Sequence, residues 1–371
     1  MGEAIMLQLS KVRASKVKLE EIRMKRKVIN ILLVIVVVTG ILTGCASKET
    51  VNENKTAGEI VKETGNEAEE EREDKTQDSE SVKIRFAVQP GDIQPFVAEK
   101  LGYFEDAGLD VELIQFSYGP PIIEAFTSKA VDFGLLGDLP VYSGIANNVD
   151  LKIIGTYSSS SISKGLLVRD DANIKELSDL KGKKVAVPFG SNSQPLLYLF
   201  LEKGGLTEED VEIINLSFTD SVTSIIAGDI QAAVVGEPQL SLASAEGNGV
   251  SIFSDATGLK LFVNPIIGRG EFTDKYPELT SKFLGALEKA AEYATENVDE
   301  AATIASDATE IDEYAVKANL TKNELYLALP QEKIDALVTG AEQAYEFELI
   351  KEKIDILSYI DTSYLEAAGV Q

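Results

Sequence analysis

Glycine, serine, asparagine, aspartate and proline gather at five points in this sequence, each where an apolar strand-like run gives way to helical periodicity. The five are Gln89 to Gln94, Tyr118-Gly119-Pro120, Gly137-Asp138, Gly190-Ser191-Asn192-Ser193 and Gly236-Glu237. At such a junction the first backbone N–H groups of the helix have no intrahelical acceptor. They also carry the positive end of the helix dipole, so they can hold an anion without help from a lysine. Glycine lets a ligand come close to the backbone, and proline in the first turn gives up no needed donor. Ser158 and Ser159, following the strand-like run that starts at Lys152, add hydroxyl donors. The candidate ligand-binding set is therefore Gln89, Tyr118, Gly119, Pro120, Gly137, Asp138, Ser158, Ser159, Ser191, Asn192, Ser193 and Glu237. Any one of these residues also serves as an ordinary helix cap, so the weight lies in their repetition.

The elements that must position these corners occur twice. Ile84–Val88, a loop ending in Gln94-Pro95, a helix through Phe104, Gly108-Leu109 and the strand Asp110–Ile114 form one copy. About a hundred residues later come Lys184–Val187, a loop ending in Gln194-Pro195, the helix Leu196–Glu202, Gly205-Leu206 and Asp210–Ile214. The register continues, matching Val131–Asp138 to Ile230–Glu237. Short apolar runs alternating with helical patterns indicate parallel strands joined by crossover helices. Two such units predict two α/β lobes, and in open α/β sheets ligands sit at the carboxyl ends of the strands. The C-terminal third carries helical spacing over Tyr276–Glu296, Val298–Ser306, Asp312–Asn319 and Gln331–Leu349, expected to pack on the first lobe and brace the second. Asp138 and Glu237 are counterparts in the two copies. They could receive a cationic group of a guest or cap the helices that follow them, and the sequence leaves both open.

Composition removes whole classes of function. The chain has no histidine, which takes away the usual general base, the Ser-His-Asp triad and histidine-ligated metals. The absence of tryptophan removes the best cation–π platform. A formal charge of −26 argues against nucleic acid. That charge would also repel an anion, so oriented dipoles at the site have to offset it.

The N-terminal region reads as an address. Lys25-Arg26-Lys27 precede an apolar run from Val28 to Leu42, then Leu42-Thr43-Gly44-Cys45. A basic flank, a short apolar core and small residues at the cut make a secretory signal, with residues 1–44 removed and Met24 the expected start. Leu-Thr-Gly-Cys resembles the bacterial lipobox, which implies lipidation of Cys45. Residues 45–80, rich in Glu, Lys, Thr and Asn, are expected to be a disordered acidic tether.

Val97–Phe104, Gly108–Glu112, Phe116–Pro121, Asp132–Pro140 and Leu177–Val187 together resemble the ABC-importer solute-binding proteins for nitrate, sulfonate, taurine and bicarbonate. The Gly-Pro-Pro and Gly-Asp-x-Pro corners are most similar to the aliphatic-sulfonate branch. The resemblance implies a type II periplasmic-binding-protein fold, each lobe a mainly parallel sheet flanked by helices. Lobe 1 is expected over 81–171 and 258–371 and lobe 2 over 172–257. It also implies a lipid-anchored, extracytoplasmic, monomeric binder without catalysis, cofactor or metal, which closes on a small anion and docks to an ABC permease. Gln194 stands where the family often has histidine, and Gly236-Glu237-Pro238 where an aromatic often precedes the proline. Nitrate, bicarbonate, a thiamine-precursor pyrimidine, or a sensing role without transport are the alternatives.

Overall fold

The computed structural model describes residues 82–370. The signal segment, Cys45 and the acidic tether expected from sequence lie outside the described residues. The chain forms ten strands: β1 (Lys83–Val88), β2 (Asp110–Gln115), β3 (Phe133–Leu135), β4 (Lys152–Ser160), β5 (Lys164–Arg169), β6 (Lys184–Ala186), β7 (Glu212–Ile214), β8 (Ala232–Gly236), β9 (Val250–Asp255) and β10 (Phe262–Gly268). They make two five-stranded sheets with matching orders, β2-β1-β3-β10-β4 and β7-β6-β8-β5-β9. In each sheet the first three strands are parallel. The fourth runs against both its neighbours. Only β10 and β5 are therefore reversed, and each lobe is mainly parallel as expected.

The inner strands are largely buried because helices cover both faces, as a crossover topology requires, while the edge strands β2, β7 and β9 stay partly exposed. In β1, Ile84, Phe86 and Val88 enter one core while Ala87 enters the core on the other face. The long helix Pro277–Glu296 brings Phe283 against Phe133, with ring centroids 4.2 Å apart and stacked, and edge-on to Phe86 at 4.8 Å. Gly108 and Gly205 hold matching places after the first helical segment of each copy, with φ of 71° and 69°. That left-handed turn lets Leu109 N–H reach back to Phe104 O and Leu206 N–H to Leu201 O, closing the helix end. The duplication is thus visible at the level of single caps.

The chain crosses between lobes twice. Sequence placed the first crossing after residue 171, but β5 hydrogen-bonds into the second sheet between β8 and β9. The crossing therefore falls at Ser161-Ile162-Ser163, where the Ser160 hydroxyl accepts from Ile162 N–H and Ser163 N–H and sets the turn. The return crossing leads from β9 into β10, close to the expected residue 258. The C-terminal helices Pro277–Glu296, Val298–Thr309 and Glu313–Lys322 feed the first lobe's core through Phe283, Leu287, Ala301, Ala305, Val316 and Leu320. Gln331–Glu346 supplies Leu337, Ala341 and Ala344 to the opposite face. The bracing of the second lobe comes from the end of Glu313–Lys322, where Lys322 Nζ meets the fully buried Glu237 carboxylate at 2.5 Å.

Candidate functional site

The carboxyl ends of both sheets enclose one cavity of about 110 Å³ between the lobes. From the first lobe come Gln89 to Gln94 after β1, Ser117 after β2, Gly137 after β3, and Tyr157 and Ser158 on β4. From the second come Ser163, Lys164, Asn192, Phe218, Gly236, Glu237 and Gln239. Asn264 on β10, with Asn319, Asn323 and Leu325 from the C-terminal region, completes the wall. Helix beginnings of both copies therefore meet at this one space. The separation of lobes and convergence of corners follow from the duplicated topology.

A one-way chain of hydrogen bonds runs through the wall. Asn192 Nδ2 donates across the lobes to Asn264 Oδ1 at 3.1 Å, and Asn264 Nδ2 donates to Ser158 Oγ at 2.8 Å. Ser158 is thereby supplied as an acceptor, which leaves its hydroxyl hydrogen for a guest. Gly137 makes this possible, because a side chain there would strike the Asn192 amide. Two further buried polar atoms lining the cavity have no protein partner, Ser163 Oγ and Gln94 Oε1. Unpaired buried polar atoms of this kind are uncommon and call for an occupant.

The charged groups divide sharply by partner. Asp92 is buried, accepts from Gln89 N–H at 2.7 Å, and closes the turn after β1. Burial pushes its carboxyl up to about 8, against the lowering effect of the Gln89 N–H and the Tyr157 hydroxyl. It therefore holds its proton at neutral pH. Glu237 is engaged by Lys322 and accepts from Ser241 N–H at 3.1 Å and Ser241 Oγ at 2.9 Å. Lys164 lines the cavity, its Nζ lies 4.6 Å from the centroid of the Phe262 ring, and no carboxylate among the described residues forms an ion pair with it. Burial pushes its ammonium down to about 8, with the Asp138 charge raising it and the Lys260 charge lowering it.

Of the residues singled out from sequence, Gln89, Gly137, Ser158, Asn192 and Glu237 line the cavity. Tyr118, Gly119 and Pro120 stand outside it. Gly119 packs on Pro140, and Pro120 approaches Gly190 of the other lobe, so this corner meets its partner at the rim. Asp138 also lies off the cavity wall. Its carboxylate is buried, forms an ion pair with Lys260 at 2.8 Å, and accepts from Leu139 N–H at the start of its helix. Ser159 alternates to the other side of β4, where it meets Glu324. Ser191 donates to Pro188 O at 2.7 Å, and Ser193 is fully buried behind it.

Sequence reasoning missed Lys164, Ser163, Asn264, Asn319 and Asn323. Asn264 had a signal, since it interrupts the apolar run Leu261–Ile267 in a strand buried along its whole length. Lys164 had none. It opens a strand as Lys83 and Lys184 do, and those two are exposed at the amino ends of interior strands. A lysine thus stands in this cavity beside the helix beginnings expected to hold an anion.

The model of the family described as "NMT1/THI5 like" matches residues 89–301. The chain belongs to this family. A putative aliphatic sulfonates-binding protein of Bacillus subtilis is 28% identical, over 77% of this chain and 88% of that protein. Among solved structures, the alkanesulfonate-binding protein of Xanthomonas axonopodis pv. citri, bound to MOPS, superposes with a TM-score of 0.69 at 20% identity. The match covers 75% of this chain and 98% of that one. A desulfurization enzyme superposes with a TM-score of 0.60 at 17% identity, over 77% and 98% of the two chains. The fold is thus that of the two-lobed binding proteins, and it is a fold that hosts chemistry as well as capture.

Proposed function

We propose that this family member is the extracytoplasmic solute-binding component of an ABC importer, and that it captures a small aliphatic sulfonate or taurine between its lobes. The observation that carries this reading is the cavity between the lobes, lined from both by residues with hydroxyl and amide groups and by Lys164, which has no ion-pair partner. A sulfonate presents three acceptor oxygens to such a wall and needs no proton transfer. The names of the Bacillus subtilis relative and the Xanthomonas structure point the same way.

In this reading the protein is not an enzyme. No base is hydrogen-bonded to the serine hydroxyls of the cavity wall, since Ser158 Oγ accepts from Asn264 and Ser163 Oγ has no partner. Residues bridging the lobes favour the closed state once a guest is bound, since a ligand shifts an equilibrium only by differential contact. Lipidation of Cys45, a monomeric state and delivery to a permease complete the proposal.

A thermal-shift screen of the purified protein tests it, using ethanesulfonate, taurine, nitrate, bicarbonate and an aminopyrimidine precursor of thiamine. A true ligand at a hundredfold over its Kd adds about 2.7 kcal/mol to stability. Sulfonates should raise the melting temperature. A shift with the pyrimidine and none with any sulfonate would reverse the assignment.

A further inference from the structure

Among the described residues, Lys164, Lys260 and Lys333 are the lysines buried to nine-tenths or more. Each had to be removed from water, and the three are treated differently. Lys260 has the Asp138 carboxylate at 2.8 Å. Lys333 donates to Thr156 Oγ at 3.0 Å and to Tyr326 O at 3.4 Å, and lies 3.3 Å from the Tyr326 ring centroid. Lys164 has only the Phe262 ring. A buried cation without a counter-charge is unfavourable unless something else supplies one.

The surroundings explain why no side chain does so. The charged groups around Lys164 come from five places. The Asp138–Lys260 pair joins the helix after β3 to the segment before β10, and the Glu237–Lys322 pair joins the end of β8 to the helix Glu313–Lys322. Asp92, with Tyr157 beside it, lies across the cavity in the loop after β1. The two lysine–carboxylate pairs cancel, and Asp92 keeps its proton at neutral pH. One positive charge, that of Lys164, is left over.

We infer that Lys164 is the specificity-determining residue of the cavity, its single unpaired ammonium selecting guests that carry one full negative charge. This rests on the anion-capture reading above and narrows it. Monoanionic oxyacids such as sulfonates neutralise the site. A dianion such as sulfate overshoots it, and neutral or cationic heterocycles leave the ammonium unpaired. Ser163, the preceding residue, and Ser158 supply hydroxyls for the remaining oxygens.

Calorimetric titration of wild type, Lys164→Met and Lys164→Gln with ethanesulfonate, sulfate and the aminopyrimidine tests the inference. Wild type should bind ethanesulfonate at least a hundredfold more tightly than either variant, and should discriminate against sulfate. Its affinity should fall above about pH 8 as Lys164 loses its proton. The fall should be steeper than in Lys164→Met, where Asp92 and Lys333 still titrate in that range. The melting temperature of unliganded Lys164→Met should rise, which loss of a merely structural side chain would not produce. Folded variants that bind ethanesulfonate as wild type does would overturn the role of Lys164 while leaving the capture reading intact. Equal affinity of wild type for sulfate and ethanesulfonate would overturn the single-charge selection. A wild type that ignores every anion would overturn both.

Discussion

The two lobes share a scaffold down to individual turns, yet their equivalent corners carry different charge. β3 ends in Gly137-Asp138 and β8 in Gly236-Glu237, and each acid is paired with a distant lysine, Lys260 or Lys322. The reversed strands show the asymmetry. Leu166 pairs with Val234 in the second sheet and Ile266 with Leu135 in the first, so Lys164 and Asn264 occupy equivalent positions two residues earlier. Asn264 is satisfied on both sides by Asn192 and Ser158. Lys164 has no such partner. A duplicated frame thus offers neutral, organised donors from one lobe and an uncompensated cation from the other, and a guest between them is held by both.

The largest effect expected from breaking this comparison is at Asp138. Asp138→Asn strands Lys260 in the interior, and removing one partner of a buried pair costs about 3–5 kcal/mol. Urea unfolding would measure the loss, and a change below about 1 kcal/mol would mean the first-lobe acid is not held in its pair. Lys164→Met should act in the opposite direction. The folded-state value for Lys164 is depressed from 10.5 to about 8, so its burial opposes folding most strongly below about pH 8 and is relieved as pH rises towards 10.5. Relief of that burden should stabilise the variant by roughly 1–3 kcal/mol at neutral pH. The gap between variant and wild type should narrow over pH 8–10, and a constant gap would contradict the assignment.

Glu237→Gln probes the second-lobe corner. It removes the ion pair joining that lobe to the C-terminal brace, and ligand affinity should fall about tenfold, or roughly 1.4 kcal/mol. Unchanged affinity would show that Lys322 does not help hold the lobes together. The smallest effect is expected at Asn264→Ala, which removes an organised hydrogen-bond link worth about 1 kcal/mol. A loss of ethanesulfonate affinity equal to that of Lys164→Met would mean the two equivalent positions contribute alike and the asymmetry is wrong.

The frame was legible in the sequence because it is repeated. Matching Gly-Leu turns, matching strand ends and matching corner glycines mark two βαβαβ units in the residues themselves. The end of the first lobe was placed too late at residue 171, since β4 runs through Ser158, Ser159 and Ser160 into β5 with no glycine or proline until Gly165 to mark the change of sheet. Ser158 and Ser159 are adjacent and alike, and only the register of β4 decides which faces the cavity. The partners of Asp138 and Glu237 lie far along the chain, and pairings of that kind leave no local pattern. Lys164 looks like any strand-opening lysine until the second sheet closes over it.

The most direct test is a crystal structure of the protein grown with ethanesulfonate. The account predicts the sulfonate inside the interlobe cavity, with oxygens within hydrogen-bond distance of Lys164 Nζ and the Ser158 hydroxyl. A sulfonate bound elsewhere, with Lys164 still unpartnered, would contradict it.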